Sequence, residues 1–301
     1  MRSVTESYQR QGRQFANDRV VPERIAISQS WFRTDTADFW RHARMYACAD
    51  HLAHRPDLSW LTVGDGRWGL DAIRLRRKGF RRVLATDICP DLLVEAKKRG
   101  LHQACLLANA EALPLAERSF DYVLCKESLH HFPRPYLALY EMLRVARRAV
   151  FLVEPNDRQP DFASYQAYID AQRAGRPEAP PQPDRQDWEG CGNYVFATSR
   201  RELEKIALAL NLPQLASKGL NDHYEKGCEF EPADPERSTM FARITENIAV
   251  HDAACRAGRA DYDLLLAGLC LEPLDPVARQ AFEADGWQVR DLPRNPYCPE
   301  G

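Results

Sequence analysis

No run of apolar residues in this 301-residue chain approaches the ~18 needed to span a bilayer. The opening MRSVTESYQRQGRQ is polar and lacks the apolar core of a signal peptide. Net charge is nearly absent, at −2 with a pI of about 6.5, so no global basic surface points to nucleic acid or to an anionic membrane. No C-x-x-C occurs among the nine cysteines, whose number is odd and whose spacings are scattered. That argues against a disulfide framework or a zinc site and for reduced, partly buried thiols, since Cys105, Cys125 and Cys270 sit in apolar runs. No internal repeat is visible. These absences leave a cytoplasmic globular protein as the expectation. A composition of 45% hydrophobic and 28% charged residues is enough for a full α/β core with additions.

Between about residues 60 and 155 short apolar runs alternate with helical patterns. The runs are 61–63, 83–86, 104–107, 122–125 and 150–153. Each is apolar on both faces, as strands of a parallel sheet covered on both sides must be. The first intervening helix is expected from near Gly69 to just before Gly79. The second starts at Pro90 and stops at Gly100 after Lys97, Lys98 and Arg99. Proline at the start, glycine past the end and cations in the last turn are the chemistry of helix ends. A third, from about Tyr136 to Arg148, places Leu139, Met142, Leu143 and Ala146 on one face. The basic stretch RLRRKGFRR, from Arg74, reads as a solvated helix C-terminus rather than an RNA patch.

The flanks differ. Residues 1–58 read as an N-terminal helical cap, in which Tyr8, Phe15, Trp31, Phe32, Phe39 and Trp40 are available to line a pocket. Residues 157–192 are rich in proline and charge and read as an irregular insertion. SRRELEKIALAL, from Ser199, carries a capping box. ASKGL then reads as a strand, 226–283 as a helical insertion, and GWQVRDLP as a last antiparallel strand.

GDGRWG, Gly64–Gly69, is a G-x-G-x-x-G that follows the first strand, and Asp87 ends the second. Glycines there let a ligand approach the backbone, and the carboxylate takes ribose hydroxyls. Both features serve a nicotinamide dinucleotide and an S-adenosyl ligand equally. The loop alone leaves the choice open.

The stretch from Leu106 to Asp157 decides it. Asn109, Ala110, Glu111, Leu113 and Pro114 are followed by Ser119, Phe120 and Asp121. Leu129, His130 and His131 come next, then Arg144 and Val145, then Glu154 and Pro155. In this order they resemble the class I S-adenosylmethionine-dependent methyltransferases, in the small-molecule branch that includes the quinone-biosynthesis enzymes. The resemblance covers about residues 60 to 157. It implies an α/β, Rossmann-like domain over 59–301, with a mostly parallel seven-stranded sheet and helices on both faces. It implies S-adenosyl-L-methionine as cofactor, held by Gly64, Asp65, Gly66, Gly69, Asp87, Ile88, Asn109, Ala110 and Lys126. Asn109 is expected to face the adenine amino group through its side-chain oxygen. Two departures from the family pattern stand out. Thr62 occupies a place that is often acidic, and the loop is one residue wider, with Asp65 and Trp68 inside it. Asp65 is expected either to meet the cofactor's ammonium group or to be an exposed turn residue.

Methyl transfer to an oxygen needs in-line alignment and removal of a proton. Glu127, His130 and His131, just after the fourth strand, are the candidate bases. Glu154, Asp222, His223 and Tyr224 lie at strand ends and are candidate substrate contacts. No metal is assigned. The expected acceptor is a small molecule, most simply a hydroxyl of a sugar, a glycan precursor or another metabolite, with no nucleic-acid or membrane partner. An NAD-dependent oxidoreductase and a non-catalytic S-adenosylmethionine-binding module are the alternatives.

Overall fold

The computed structural model describes residues 6–10, 21–157, 170–176 and 193–297. Its centre is one eight-stranded sheet. The strands are β1 (Ser59–Val63), β2 (Arg82–Asp87), β3 (Cys105–Leu107), β4 (Phe120–Lys126), β5 (Ala146–Pro155), β6 (Gln214–Leu220), β7 (Leu264–Cys270) and β8 (Gln288–Asp291), in the order β3-β2-β1-β4-β5-β7-β6-β8. β1 to β5 pair in parallel, while β7 runs antiparallel to both β5 and β6, and β8 antiparallel to β6. The sheet is Rossmann-like and mostly parallel, with one strand more than the seven expected.

β7 lies inside the stretch 226–283, expected to be a helical insertion. The helices there are Thr239–Arg256 and all but the last residue of Pro276–Ala284. LLLAGLC is apolar throughout and all seven residues are buried. A run that is apolar on every side has no period, so a central strand and a buried helix read alike. The third helix also ends sooner than expected. Pro135–Val145 is helical and Ala146 is already extended (φ −76°, ψ 145°), so the helix stops three residues before its expected end at Arg148.

Two layers of side chains hold the sheet. On one face Leu139, Met142 and Leu143 pack on Val123, Val150 and Leu152. On the other face Trp60 lies between Tyr122 and Phe151, at ring-centroid distances of 4.8 and 5.8 Å, and Phe151 continues to Phe282 at 6.0 Å. Each such fully buried aromatic contributes about 1.5–3 kcal/mol from burial alone. The helices that position the site are α1 (Pro22–Ser30), α2 (Ala37–Ala43), α3 (Ala47–His51), α4 (Leu70–Arg77), α5 (Pro90–Lys98), α6 (Pro135–Val145), α7 (Arg200–Ala209), α8 (Thr239–Arg256) and α9 (Pro276–Ala284). Ser199 and Glu202 form the expected reciprocal capping box of α7.

Of the insertion 157–192, only Asp157 and residues 170–176 are described; the rest, like Phe15, lies outside the described residues. The seven cysteines among the described residues are all free thiols. No helix among the described residues is long and apolar enough to cross a membrane.

Trp68 joins the glycine loop to the N-terminal helices. Its backbone is left-handed (φ +63°), and its indole N–H donates to Ser28 Oγ at 2.6 Å. The ring packs edge-on against Phe32 at 5.6 Å and beneath the Arg99 guanidinium at 4.6 Å. Trp68→Ala is expected to cost about 3–5 kcal/mol, as truncation of a buried indole does. Urea unfolding checks it: the midpoint falls while the slope stays constant. An unchanged midpoint would show that the loop and the helices are not joined through this ring.

Candidate active site

A cavity of about 1240 Å³ opens at the C-terminal ends of β1, β2 and β4 and extends to the N-terminal helices. Parallel sheets place ligands at this edge, because loops diverge there and leave a crevice. Gly64, Asp65, Gly66, Asp87, Ile88, Asn109, Ala110, Lys126, Glu127, His130, His131 and Tyr224 all reach its wall. Gly69, Glu154, Asp222 and His223 do not.

The glycine loop explains itself in local terms. A Cβ on Gly66 would stand 2.8 Å from the Asp87 carboxyl group, so only glycine lets the loop close over that side chain. The Asp87 carboxylate accepts N–H bonds from Cys89, at 2.6 Å, and from Gly66. Ser128 Oγ donates to the Gly64 carbonyl at 2.8 Å and so ties the loop to the end of β4. Gly69 has a different duty. It is left-handed (φ +64°) and starts α4 where a Cβ would strike the imidazole of His102. It is a packing glycine, not a wall of the cavity.

Burial pushes the Asp87 carboxyl up to about 6, against the backbone N–H bonds that pull it down. The ionised form accepts ribose hydroxyls and the protonated form does so poorly. The raised value means that this group favours the unliganded fold most at low pH, and the contribution is lost as pH rises through about 6. Ligand binding runs the other way. Affinity for S-adenosylhomocysteine is expected to fall by up to about tenfold per pH unit on acidification below the carboxyl's value of about 6. Calorimetric titrations on either side of that value test this; a flat profile would separate Asp87 from the ligand.

Asp65 is neither an exposed turn residue nor a free anion. It is buried, and its Oδ1 accepts from Asp71 N at 3.1 Å while Oδ2 accepts from Ala72 N at 3.0 Å and Thr62 Oγ1 at 2.7 Å. The first N–H groups of a helix have no partner inside it, and Asp65 supplies one from outside. Thr62 therefore complements Asp65. Asn109 is likewise engaged locally: its Oδ1 accepts from Glu111 N at 2.9 Å, and its amide donates to Tyr8 Oη at 3.1 Å. The oxygen expected to meet adenine serves first to close this turn.

Beyond β4 the chain turns through Glu127, whose φ is +48°. Glu154, at the end of β5, is buried and collects this turn. Its Oε1 accepts from Ser128 N at 3.1 Å and Leu129 N at 3.0 Å, and its Oε2 accepts from His130 N at 3.3 Å. Oε2 also meets His130 Nδ1 at 2.5 Å. Glu154 is thus buried beneath the wall, where it anchors the turn. The His131 ring lies tilted against that of His130, with centroids 3.9 Å apart. Glu127 pairs with Lys126 Nζ at 2.9 Å and lies 3.7 Å from His42 Nδ1.

The cluster at 221–225 divides. Asp222 forms a buried ion pair with Arg41, and His223 meets the Asn247 amide at 3.2 Å and Glu225 at 3.7 Å, away from His130, His131 and Glu154. Neither lines the cavity. Tyr224 stays on the wall, with its hydroxyl donating to Glu229 at 2.8 Å and Arg41 above its ring. Of the N-terminal aromatic residues that the sequence offered as pocket lining, Tyr8 and Trp31 reach the cavity, whereas Phe32 packs on Trp68 and Trp40 packs on Phe241.

The basic stretch from Arg74 is also only partly solvated. Arg76 bonds Val83 O at 2.9 Å and His102 Nδ1 at 2.9 Å. Arg74, expected in the solvated last turn of α4, is buried and lines the cavity. Asp38, Arg41, His42 and Tyr46, all from the N-terminal helices, join it there. Sequence reasoning missed these five. The one available signal was the spacing of Asp71 and Arg74, which puts both on one helix face.

Residues 61–153 match a family model described as a methyltransferase domain. The chain is 32% identical over 128 residues to an uncharacterized protein of Mycobacterium bovis, covering 41% of this chain and 46% of that protein. It is 31% identical over 114 residues to the ubiquinone/menaquinone biosynthesis C-methyltransferase UbiE of Roseobacter denitrificans, covering 36% of this chain and 44% of that one. The chain thus spans about half the length of the curated relatives it matches. A crystal structure described as an S-adenosylmethionine-dependent methyltransferase, possibly a histamine N-methyltransferase, from Thermotoga maritima aligns over 77% of this chain and 95% of that one, at 14% identity and a TM-score of 0.42. From the matched segment, its ordered motifs and the sheet that carries them, residues 61–153 form a methyltransferase domain of the class I, S-adenosylmethionine-dependent family.

Proposed function

We propose that this chain transfers a methyl group from S-adenosylmethionine to a hydroxyl of a small molecule, such as a sugar, a glycan precursor or another metabolite. The residues fit the cofactor. Gly64 and Gly66 clear space for it, the Asp87 carboxylate faces the cavity for the ribose hydroxyls, and Ile88 and Ala110 offer apolar surface beside it. When bound, the cofactor supplies an activated methyl on a sulfonium.

The chain's own work is to align the acceptor and take its proton. The observation that carries the reading is the Glu154–His130 pair. A carboxylate can only accept, so Nδ1 carries the hydrogen and Nε2 keeps its lone pair. The imidazole belongs to the cavity wall and is held by a buried carboxylate that also fixes three backbone N–H groups of the same turn. This is the arrangement of a general base with an orienting partner: His130 accepts the hydroxyl proton at Nε2, and Glu154 is its positioning residue. Glu127 is less suited because Lys126 already pairs with it.

The nicotinamide and binding-only alternatives gain no support from the family match. The test is release of S-adenosylhomocysteine when the protein and S-adenosylmethionine meet a panel of hydroxylated metabolites. Release that depends on an acceptor supports the reading. Cofactor binding with no release across sugars, phenols and acids would favour a binding module.

A further inference from the structure

Among the described residues, one cavity-lining guanidinium has buried N–H groups that meet no acceptor. Arg74 is 6% exposed, and its Nε and one Nη are buried with no hydrogen-bond partner among the described residues. Its guanidinium stands 5.0 Å from the Phe39 ring centroid and 5.3 Å from that of Tyr46, and the residue lines the cavity. Ring faces steady a guanidinium but accept none of its in-plane N–H bonds. The acids nearby have other partners. Asp38 binds Arg41 at 3.0 Å, Glu127 binds Lys126 at 2.9 Å, and Asp71 takes the Tyr46 hydroxyl. Leaving buried charged donors without an acceptor is costly, so a planar anion is what this fork lacks.

Arg74 meets Phe39 and Tyr46 of the N-terminal segment. Its companions on the wall are Asp38, His42 and Tyr46, from helices outside the matched segment 61–153, with Lys126 beside them. At about 1240 Å³ the cavity exceeds the roughly 300–1,000 Å³ typical of a single small-molecule site, which leaves room for a second ligand.

We propose that Arg74 is a carboxylate-binding residue that holds the acidic group of the acceptor, so that the substrates of this chain are carboxylic acids bearing a methylatable hydroxyl. This rests on the methyltransferase reading above and narrows its acceptor class. The cofactor's own carboxylate is the other source of the same chemistry, and the experiment separates the two.

The protein is first loaded with S-adenosylhomocysteine. 4-Fluorobenzoate and its uncharged counterpart 4-fluorobenzamide are then titrated in and followed by fluorine NMR, for the native chain, Arg74→Gln and Arg74→Lys. The native chain is expected to prefer the benzoate by about tenfold, Arg74→Gln to lose that preference, and Arg74→Lys to keep part of it. Affinity for S-adenosylhomocysteine should change less than about threefold in Arg74→Gln, within what a non-contacting substitution allows. Absence of preference in the native chain, which requires no variant to fold, overturns the inference. So does a preference that survives in Arg74→Gln. If Arg74→Gln weakens S-adenosylhomocysteine but not 5′-methylthioadenosine, which lacks the carboxylate, the anion is the cofactor's and the acceptor assignment is wrong. Failure of S-adenosylhomocysteine to bind the native chain would overturn the methyltransferase reading itself; binding without a benzoate preference overturns only this inference.

Discussion

Asp87→Ala is expected to raise the Kd for S-adenosylhomocysteine about 100-fold, close to 2.8 kcal/mol. Each hydrogen bond from a ribose hydroxyl to an ionised carboxylate contributes about 1.5–3 kcal/mol. Water that enters the truncated site recovers part of the sum for two such bonds. The carboxylate is pre-positioned, since Cys89 N and Gly66 N already hold it, so little ordering remains to offset the gain. Asp87→Asn, which keeps the shape, should fall between the two. Calorimetry on folded variants, verified by circular dichroism, decides the matter. A Kd within threefold of the native value would detach Asp87 from the ligand.

The second large effect concerns the proton. His130→Ala is expected to lower kcat by about 10²–10⁴ toward a hydroxyl acceptor, the usual range for loss of a positioned base. Affinity for S-adenosylhomocysteine should hardly move. Glu154→Gln is expected to act on two levels. A carboxamide cannot accept the Nδ1–H and three backbone N–H bonds as a carboxylate does, and its own N–H₂ would face donors. Stability and kcat should therefore both fall. A His130→Ala enzyme with native kcat would move the base elsewhere on the wall, to His131 or Glu127.

The parallel half of the sheet was legible because burial on two faces leaves a mark in one dimension: short apolar runs separated by helices with proline at the start and glycine past the end. Gly79 and Gly100 do end α4 and α5 in left-handed conformations. β7 is a run of the same kind, but without a period it reads equally as a buried helix, and the helical patterns around it decided the reading. The site shows the same division. The residue types at the cavity edge follow from the motifs, but what each side chain holds depends on partners distant in sequence. Asp65 serves the helix that follows it, Asn109 closes its own turn, and Gly69 makes way for His102. Asp222 meets Arg41 across 181 positions. Glu154 illustrates the limit: a carboxylate at a strand end reads as a ligand contact or as an anchor, and only the N–H groups around it decide. Arg74 misled in the opposite direction. Placed among cations in a last helical turn it reads as solvated, yet its face of α4 turns toward the cap.

The most direct measurement is calorimetric titration of the native chain with S-adenosylmethionine, S-adenosylhomocysteine and NAD. The account predicts micromolar binding of the first two and none of the third. Binding of NAD alone would contradict it, and would make the loop at Gly64–Gly69 a dinucleotide site.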